Sequence, residues 1–460
     1  MAKGKLWIIL LIAAILLAAS VVVYMKKTQP LEDLTQRYDY LTRLTHSGDN
    51  RGTAWSPDGS KIFFRRSDIS FQNSGIERGK SHIYVMNSDG SNQTQLAEGM
   101  GIALSPDGSK VFFYREKLSG EKLEIASSPG LIVSLPSGEK PEDKGWELWV
   151  MNADGSNLQK LSEVNADSIE DLRNPESFIM PHSWSPDRAK IIFYTTKRVI
   201  SDYPWIQHED GILERGEEGH NFTGDYSICN PYSEIVSTLW MWNVEGGWGK
   251  ARKIISSKSL PEAFVLQHIS IAWNPDGKSF IFSFLDIVEG SIHAPIYNAT
   301  VAYDEREMLT SIQGGVTDIA LSPDGKNILY SHRIGQSITT VGGDIWVMNV
   351  DGSGRRQLTN NLGSMGEIWS PDGKRIAYRS YSGDFGWFGD QKKNYEDSSE
   401  IWIMNADGSD KQLLLSIPFP YGVIWSDLHW SPDGSKLAFG WTPNQQFTRS
   451  DIYLIDVPEI

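Results

Sequence analysis

Short apolar runs separated by one recurring polar turn organise this chain. Runs such as Lys61-Ile-Phe-Phe64, Lys110-Val-Phe-Phe113 and Asn327-Ile-Leu-Tyr330 are too brief for helices and are rich in β-formers. Each follows a turn first written Trp55-Ser-Pro-Asp-Gly59 and repeated as Leu104-Ser-Pro-Asp-Gly108, Trp184-Ser-Pro-Asp-Arg188, Trp273-Asn-Pro-Asp-Gly277, Leu321-Ser-Pro-Asp-Gly325, Trp369-Ser-Pro-Asp-Gly373 and Trp430-Ser-Pro-Asp-Gly434. Proline presets φ, Asp bonds the backbone ahead of it, and Gly takes the φ > 0 position, so each copy predicts a hairpin. A second turn, Met-Asn-x-Asp-Gly-Ser, follows at Met86–Ser91, Met151–Ser156, Met348–Ser353 and Met404–Ser409, with a degraded copy at Met241–Gly247. It joins a third strand to a fourth.

The turn prolines, Pro57, Pro106, Pro186, Pro275, Pro323, Pro371 and Pro432, are spaced by 49, 80, 89, 48, 48 and 61 residues. Four strands in a unit of about 40 to 50 residues predict an all-β fold, a seven-bladed β-propeller of four-stranded blades. The last unit supplies three strands, and Tyr40-Leu-Thr-Arg-Leu-Thr45 matches the fourth strand of other units. Residues 40–45 are therefore expected to complete the last blade and remove an open edge. The propeller is expected to occupy 41–460, behind a short linker at 28–40.

Ahead of the linker, residues 6–25 carry no charge and are flanked by Lys3, Lys5, Lys26 and Lys27, with Trp7 and Tyr24 near the ends. A helix of this length spans roughly 30 Å, so 1–27 is expected to be an N-terminal transmembrane anchor. The alternative is a cleaved signal peptide ending near Ala18-Ala19-Ser20, which would leave the protein secreted. The run exceeds the usual signal core, which favours the anchor. The amino terminus adds a charge on its own side, which predicts an extracytoplasmic propeller. The single cysteine, Cys229, excludes an internal disulfide framework. A net charge of −15, from 43 basic and 58 acidic residues, argues against nucleic acid and suits cationic ligands.

Extra length concentrates between the second and third strands of the units, so one face is expected to be elaborated and the other minimal. The insertions carry Tyr203, Trp205, His208 and Tyr226 in unit three and Phe385, Trp387 and Phe388 in unit six. Rigid aromatics on loops suit protein or glycan contact, or the packing of the loops themselves. At the starts of the innermost strands His182, His268, Asp318, Glu367 and Asp427 approach the channel axis. Such a set could hold a divalent metal or perform acid–base chemistry, or simply line a polar channel. No other cofactor is expected. The Asp residues of Asn-x-Asp-Gly-Ser read as turn residues, because the glycine is misplaced for a calcium loop. No nucleophile elbow, zinc helix, phosphate loop or Cys-x-x-Cys pair is present.

The Ser-Pro-Asp-Gly-x-Lys turn paired with Met-Asn-x-Asp-Gly-Ser resembles the WD40-like repeats of TolB-type β-propellers, over nearly all of 41–460. The resemblance implies a periplasmic or extracellular propeller that binds a protein partner in the envelope or at the cell surface. Two features depart from it: there is no room for the preceding α/β domain, and seven units replace six. Similar propellers precede the catalytic domain of prolyl-oligopeptidase-type peptidases, a half not expected here because the repeats run to the last residues. Propellers of similar build that are metal-dependent polysaccharide lyases make a carbohydrate-active enzyme the alternative expectation.

Overall fold

The computed structural model describes residues 33–458 apart from 73–74, 117–145, 162–177, 201–204, 209–212, 216–225, 230–232, 245–251, 260–269, 285, 289–290, 302–305, 334–342, 362, 382–397, 419–421, 425–427 and 444–448. The apolar stretch 6–25 lies outside them. Among the described residues no helix is long and apolar enough to cross a membrane.

Antiparallel strands form seven blades, which we number in chain order. Blade one is Asp49–Trp55, Lys61–Gln72, Gly75–Asn87 and Thr94–Glu98, from the innermost strand outwards. Blade five is Gly315–Leu321, Asn327–Arg333, Asp344–Asn349 and Arg356–Gln357, and blade six is Ser364–Trp369, Arg375–Tyr381, Ser398–Asn405 and Gln412–Pro418. In blade seven the outermost strand comes from the other end of the chain. Leu41–Arg43 lies antiparallel to Asp451–Asp456, with Leu41 opposite Ile455 and Arg43 opposite Tyr453.

The core is divided among the blade boundaries. Between blades one and two, Phe63 and Ile83 pack on Val111, Phe113 and Met151. Between blades two and three, Phe112 and Leu148 meet Ile191, Phe193 and Trp242. Blade seven closes onto blade one through Ala438, Ile452 and Leu454 against Ile62, Phe64 and Met86. A middle strand is covered on both faces by its neighbours. Continuous apolar runs such as Ile191-Ile192-Phe193-Tyr194, all buried, therefore replace the alternation of a one-sided sheet.

The repeated turns form a second ring. In blade one Ser56 Oγ accepts from Lys61 N at 2.9 Å and donates to Asp58 Oδ1 at 2.6 Å, while Asp58 Oδ1 accepts from Ser60 N at 3.0 Å. The bonds from Ser56 and Ser60 hold the Asp58 carboxyl down at about 2. Each turn abuts the next: a Cβ on Gly108, at φ +72°, would stand 2.6 Å from Pro57 Cδ, and one on Gly59 would meet Pro432 of blade seven. Heading tryptophans stitch the same boundaries, Trp184 Nε1 donating to Ala103 O at 2.9 Å and Trp369 Nε1 to Ala320 O at 3.3 Å. The aspartate of the second turn is likewise used locally, Asp89 Oδ1 accepting from Ser91 N at 2.9 Å.

The opposite face is built up by strands as well as loops. In blade one, Lys61–Gln72 and Gly75–Asn87 pair as far as Gln72 opposite Gly75, so most of the segment expected as a loop extends the hairpin. Alternation of Ile69 and Phe71 with Ser70 and Gln72 gives that segment a strand's period. In blade three, Lys190–Ile200 and Ser233–Asn243 pair up to Ile200 opposite Ser233, and the insertion adds a three-stranded sheet of Leu213–Arg215, Trp205–His208 and Tyr226–Cys229.

Candidate functional site

The innermost strands of blades one, two, five and six each carry a bulge in which two residues oppose one. The pairs are Gly52-Thr53, Gly101-Ile102, Thr317-Asp318 and Gly366-Glu367. A bulge bends the strand and re-aims a side chain. In blades five and six it brings two of the expected channel residues together: Asp318 Oδ2 accepts from Gly366 N at 3.1 Å, and Gly366 directly precedes Glu367.

Glu367 is buried, and Ser331 Oγ, from the second strand of blade five, donates to its Oε2 at 2.7 Å and Oε1 at 3.0 Å. Burial and the nearby Asp318 carboxylate push the Glu367 carboxyl up to about 8, against the opposing pull of Ser331 and Arg379. Arg379, also buried, donates to Ile424 O of blade seven at 3.4 Å, where Tyr381 Oη donates at 3.1 Å. Gly366 is required at its position. Its φ is +61°, and a Cβ there would lie 2.8 Å from Arg379 Nη2. The cluster ties three blades together around a carboxyl that holds its proton near neutrality.

Of the expected metal set, Asp318 and Glu367 are neighbours, whereas His268 and Asp427 lie outside the described residues and His182 sits in the inner strand Phe178–Trp184 of blade three. No group of three or more His, Cys, Asp or Glu residues that could hold a metal occurs among the described residues. Of the pair, Glu367 is bonded to Ser331 and closed off from solvent. Of the expected contact aromatics, Trp205, His208 and Tyr226 fall in the added three-stranded sheet, where Trp205 pairs with Cys229 and His208 with Tyr226. Tyr203, Phe385, Trp387 and Phe388 lie outside the described residues.

A concavity lies on the tight-turn face, which the lengths of the connections predict to be minimal. A cleft of about 510 Å³ separates blades five and six, lined by residues that include Asp324, Asn327, Arg356, Trp369, Asp372 and Asp407. The signal that would have found it is residue size at one repeated position: Lys61, Lys110, Lys190 and Lys436 stand where blade five has Asn327.

No protein-family model matches the chain. It is 26% identical over 278 residues to an uncharacterised protein of Agrobacterium fabrum, a match covering 58% of this chain and 85% of that one. It is 30% identical over 122 residues to the Tol-Pal system protein TolB of Anaeromyxobacter dehalogenans, covering 26% of this chain and 22% of TolB. Among solved structures, oligogalacturonate lyase in complex with manganese superimposes with a TM-score of 0.51 at 14% identity, over 91% of this chain and 93% of the lyase. At that identity the likeness is one of fold. By its architecture the chain is a seven-bladed β-propeller, and its repeats are similar to those of TolB over the matched 122 residues.

Proposed function

We propose that this propeller is an extracytoplasmic binding or scaffold module, tethered by the apolar segment 6–25, that engages a protein partner in the envelope or at the cell surface. The observation that carries this reading is the asymmetry of the two faces. One is held to minimal hydrogen-bonded turns, while the other extends beyond the blades as paired strands in blade one and as an added sheet in blade three. Surface built outward on a rigid scaffold is where recognition residues concentrate.

The test is affinity capture from a native membrane extract with the full chain as bait. A second bait is shortened only within 201–232 and 382–397, which keeps the paired strands of blades three and six. Retention of a protein by the first and its loss from the second is the expected result. Equal retention by both would place the contact elsewhere.

The alternative is a carbohydrate-active enzyme of lyase or hydrolase type, and what supports it is the protonated Glu367 beside Asp318 near the channel. The burial of Glu367 and its two bonds from Ser331 suit an inter-blade lock better than a group that meets substrate. Oligosaccharide cleavage, with divalent metal added, that disappears in Glu367→Gln would reverse this preference.

A further inference from the structure

The N-terminal segment is fixed to the propeller from its first described residue. Asp33 Oδ2 accepts from Arg43 at 2.7 Å and its Oδ1 from Tyr453 Oη at 3.2 Å. Leu34 is wholly buried, in one cluster with Trp441 and Tyr453 of blade seven and Leu415 and Ile417 of blade six. Tyr38 and Tyr40 reach sideways from there, their hydroxyls donating to Ser416 O and Leu414 O in the outermost strand of blade six. Tyr453 stands in the middle of the strand Asp451–Asp456, so the segment is seated on the outer rim of blades six and seven and on neither face.

Eight peptide units join Met25, the end of the apolar run, to Asp33. Fully extended they reach at most about 28 Å, and Lys26 and Lys27 take part of that length at the headgroups. A connection this short keeps the rim close to any membrane that the run enters.

The rim presents apolar surface at that place. Among the described residues four large apolar side chains are exposed. Tyr40 and Leu413, each 47% exposed, share this rim, while Leu158 and Met308 stand singly on blades two and four. A bulge at Leu414, opposite Ile401 and Trp402, breaks the alternation of the strand, so that Leu413 is exposed while Leu415 is buried. The exposed charges beside them, Arg37, Asp39 and Lys411, are of mixed sign. With a net charge of −15 on the whole chain, a zwitterionic lipid surface suits the rim better than an anionic one.

We propose, on the reading that 6–25 is a membrane tether, that the rim of blades six and seven is a lipid-contact surface. Tyr40, an apolar ring with a polar tip, and Leu413 enter the headgroup boundary and hold the propeller edge-on to the bilayer. Held in this way, both faces stay clear of the lipid, and the elaborated face is open to a partner in the plane of the membrane.

The test reconstitutes the full chain, with Cys229→Ser, in phosphatidylcholine vesicles that carry a nitroxide high on the acyl chain. One fluorescent label is placed on a new cysteine: Leu413→Cys for the rim, Met308→Cys, at a site 54% exposed, for blade four, and Val22→Cys for the tether. The labels at 413 and 22 should lose most of their emission relative to nitroxide-free vesicles, and the label at 308 should lose none. Adding Tyr40→Ser should weaken the quenching at 413 and leave that at 22 unchanged. Equal quenching at 413 and 308, no quenching at 413 while 22 is quenched, or undiminished quenching at 413 in Tyr40→Ser would each overturn the rim contact and leave the tether standing. Absence of quenching at 22 would remove the tether and the contact with it.

Discussion

Arg188 Nη1 donates to Asp107 Oδ2 at 2.6 Å across the boundary between blades two and three, from the turn position at which the other six repeats carry glycine. Its φ is +64°, a conformation that costs a side chain about 1 to 2 kcal/mol. The ion pair it makes is well exposed, and such pairs return about 0 to 1 kcal/mol. Arg188→Gly is therefore expected to stabilise the propeller by about 1 kcal/mol, read as a rise in the midpoint of urea unfolding. A fall would show that the ion pair outweighs the backbone strain.

Glu367 gives the fold a pH dependence of unusual sign. Its carboxyl is pushed up in the native state to about 8, whereas the unfolded chain loses that proton near pH 4.5. The native state thus holds one more proton between these values, and stability falls as pH rises, by at most about 1.4 kcal/mol per unit. The contribution is complete below pH 4.5 and is gone above about pH 8. Glu367→Gln should flatten this part of the profile and be more stable than the parent at pH 8.5, as measured by denaturant unfolding at several pH values. An unchanged slope would show that Glu367 is ionised in the native protein.

Arg43 holds the N-terminal strand to the last blade. It donates to Asp33 and Asp451 at 2.7 Å each and to Thr45 O at 2.8 Å, and Asp451 is almost wholly buried. Arg43→Ala would strand the Asp451 carboxylate without its main cation, a loss of about 3 to 5 kcal/mol. Thermal unfolding and faster proteolysis near residues 41–45 would report it. A loss below about 1 kcal/mol would mean that Thr45 and Asn50, which also bond Asp451 Oδ1, and Arg449, 3.6 Å from its Oδ2, suffice.

Gly366→Ala is expected to cost about 2 to 4 kcal/mol, because it combines a positive φ with a Cβ driven against the Arg379 guanidinium. Gly52→Ala is the control, with a similar φ of +62° and nothing within 4 Å of the new Cβ. A smaller loss at 52 separates crowding from backbone strain, and equal losses would assign the cost to the backbone alone.

The blades were legible because Ser-Pro-Asp-Gly specifies its own backbone: every group needed for the turn lies within six residues, as the Ser56, Asp58, Ser60 and Lys61 bonds show. The hairpin extension at Ile69 to Gln72 was misread as loop because its alternation is only four residues long and sits in one of the long connections between second and third strands. The setting of Glu367 could not be read at all. It depends on a bulge that adds one residue to the inner strand and on Ser331 from the neighbouring blade, and neither leaves a local signal. The cleft beside Trp369 was visible only as a size difference between Asn327 and the residues at its equivalent positions.

The pairing of Leu41–Arg43 with Asp451–Asp456 also governs the order of biosynthesis. The outermost strand of blade seven leaves the ribosome before the other blade strands and its partner after them, so an unpaired edge persists while the blades between are made. Blades one to six can assemble on their neighbours as they emerge, but the contacts of Ala438, Ile452 and Leu454 with Ile62, Phe64 and Met86 must await the final strands. Closure is then a single late event of very high contact order, and until it occurs the two terminal blades remain the surfaces most open to aggregation and to chaperones.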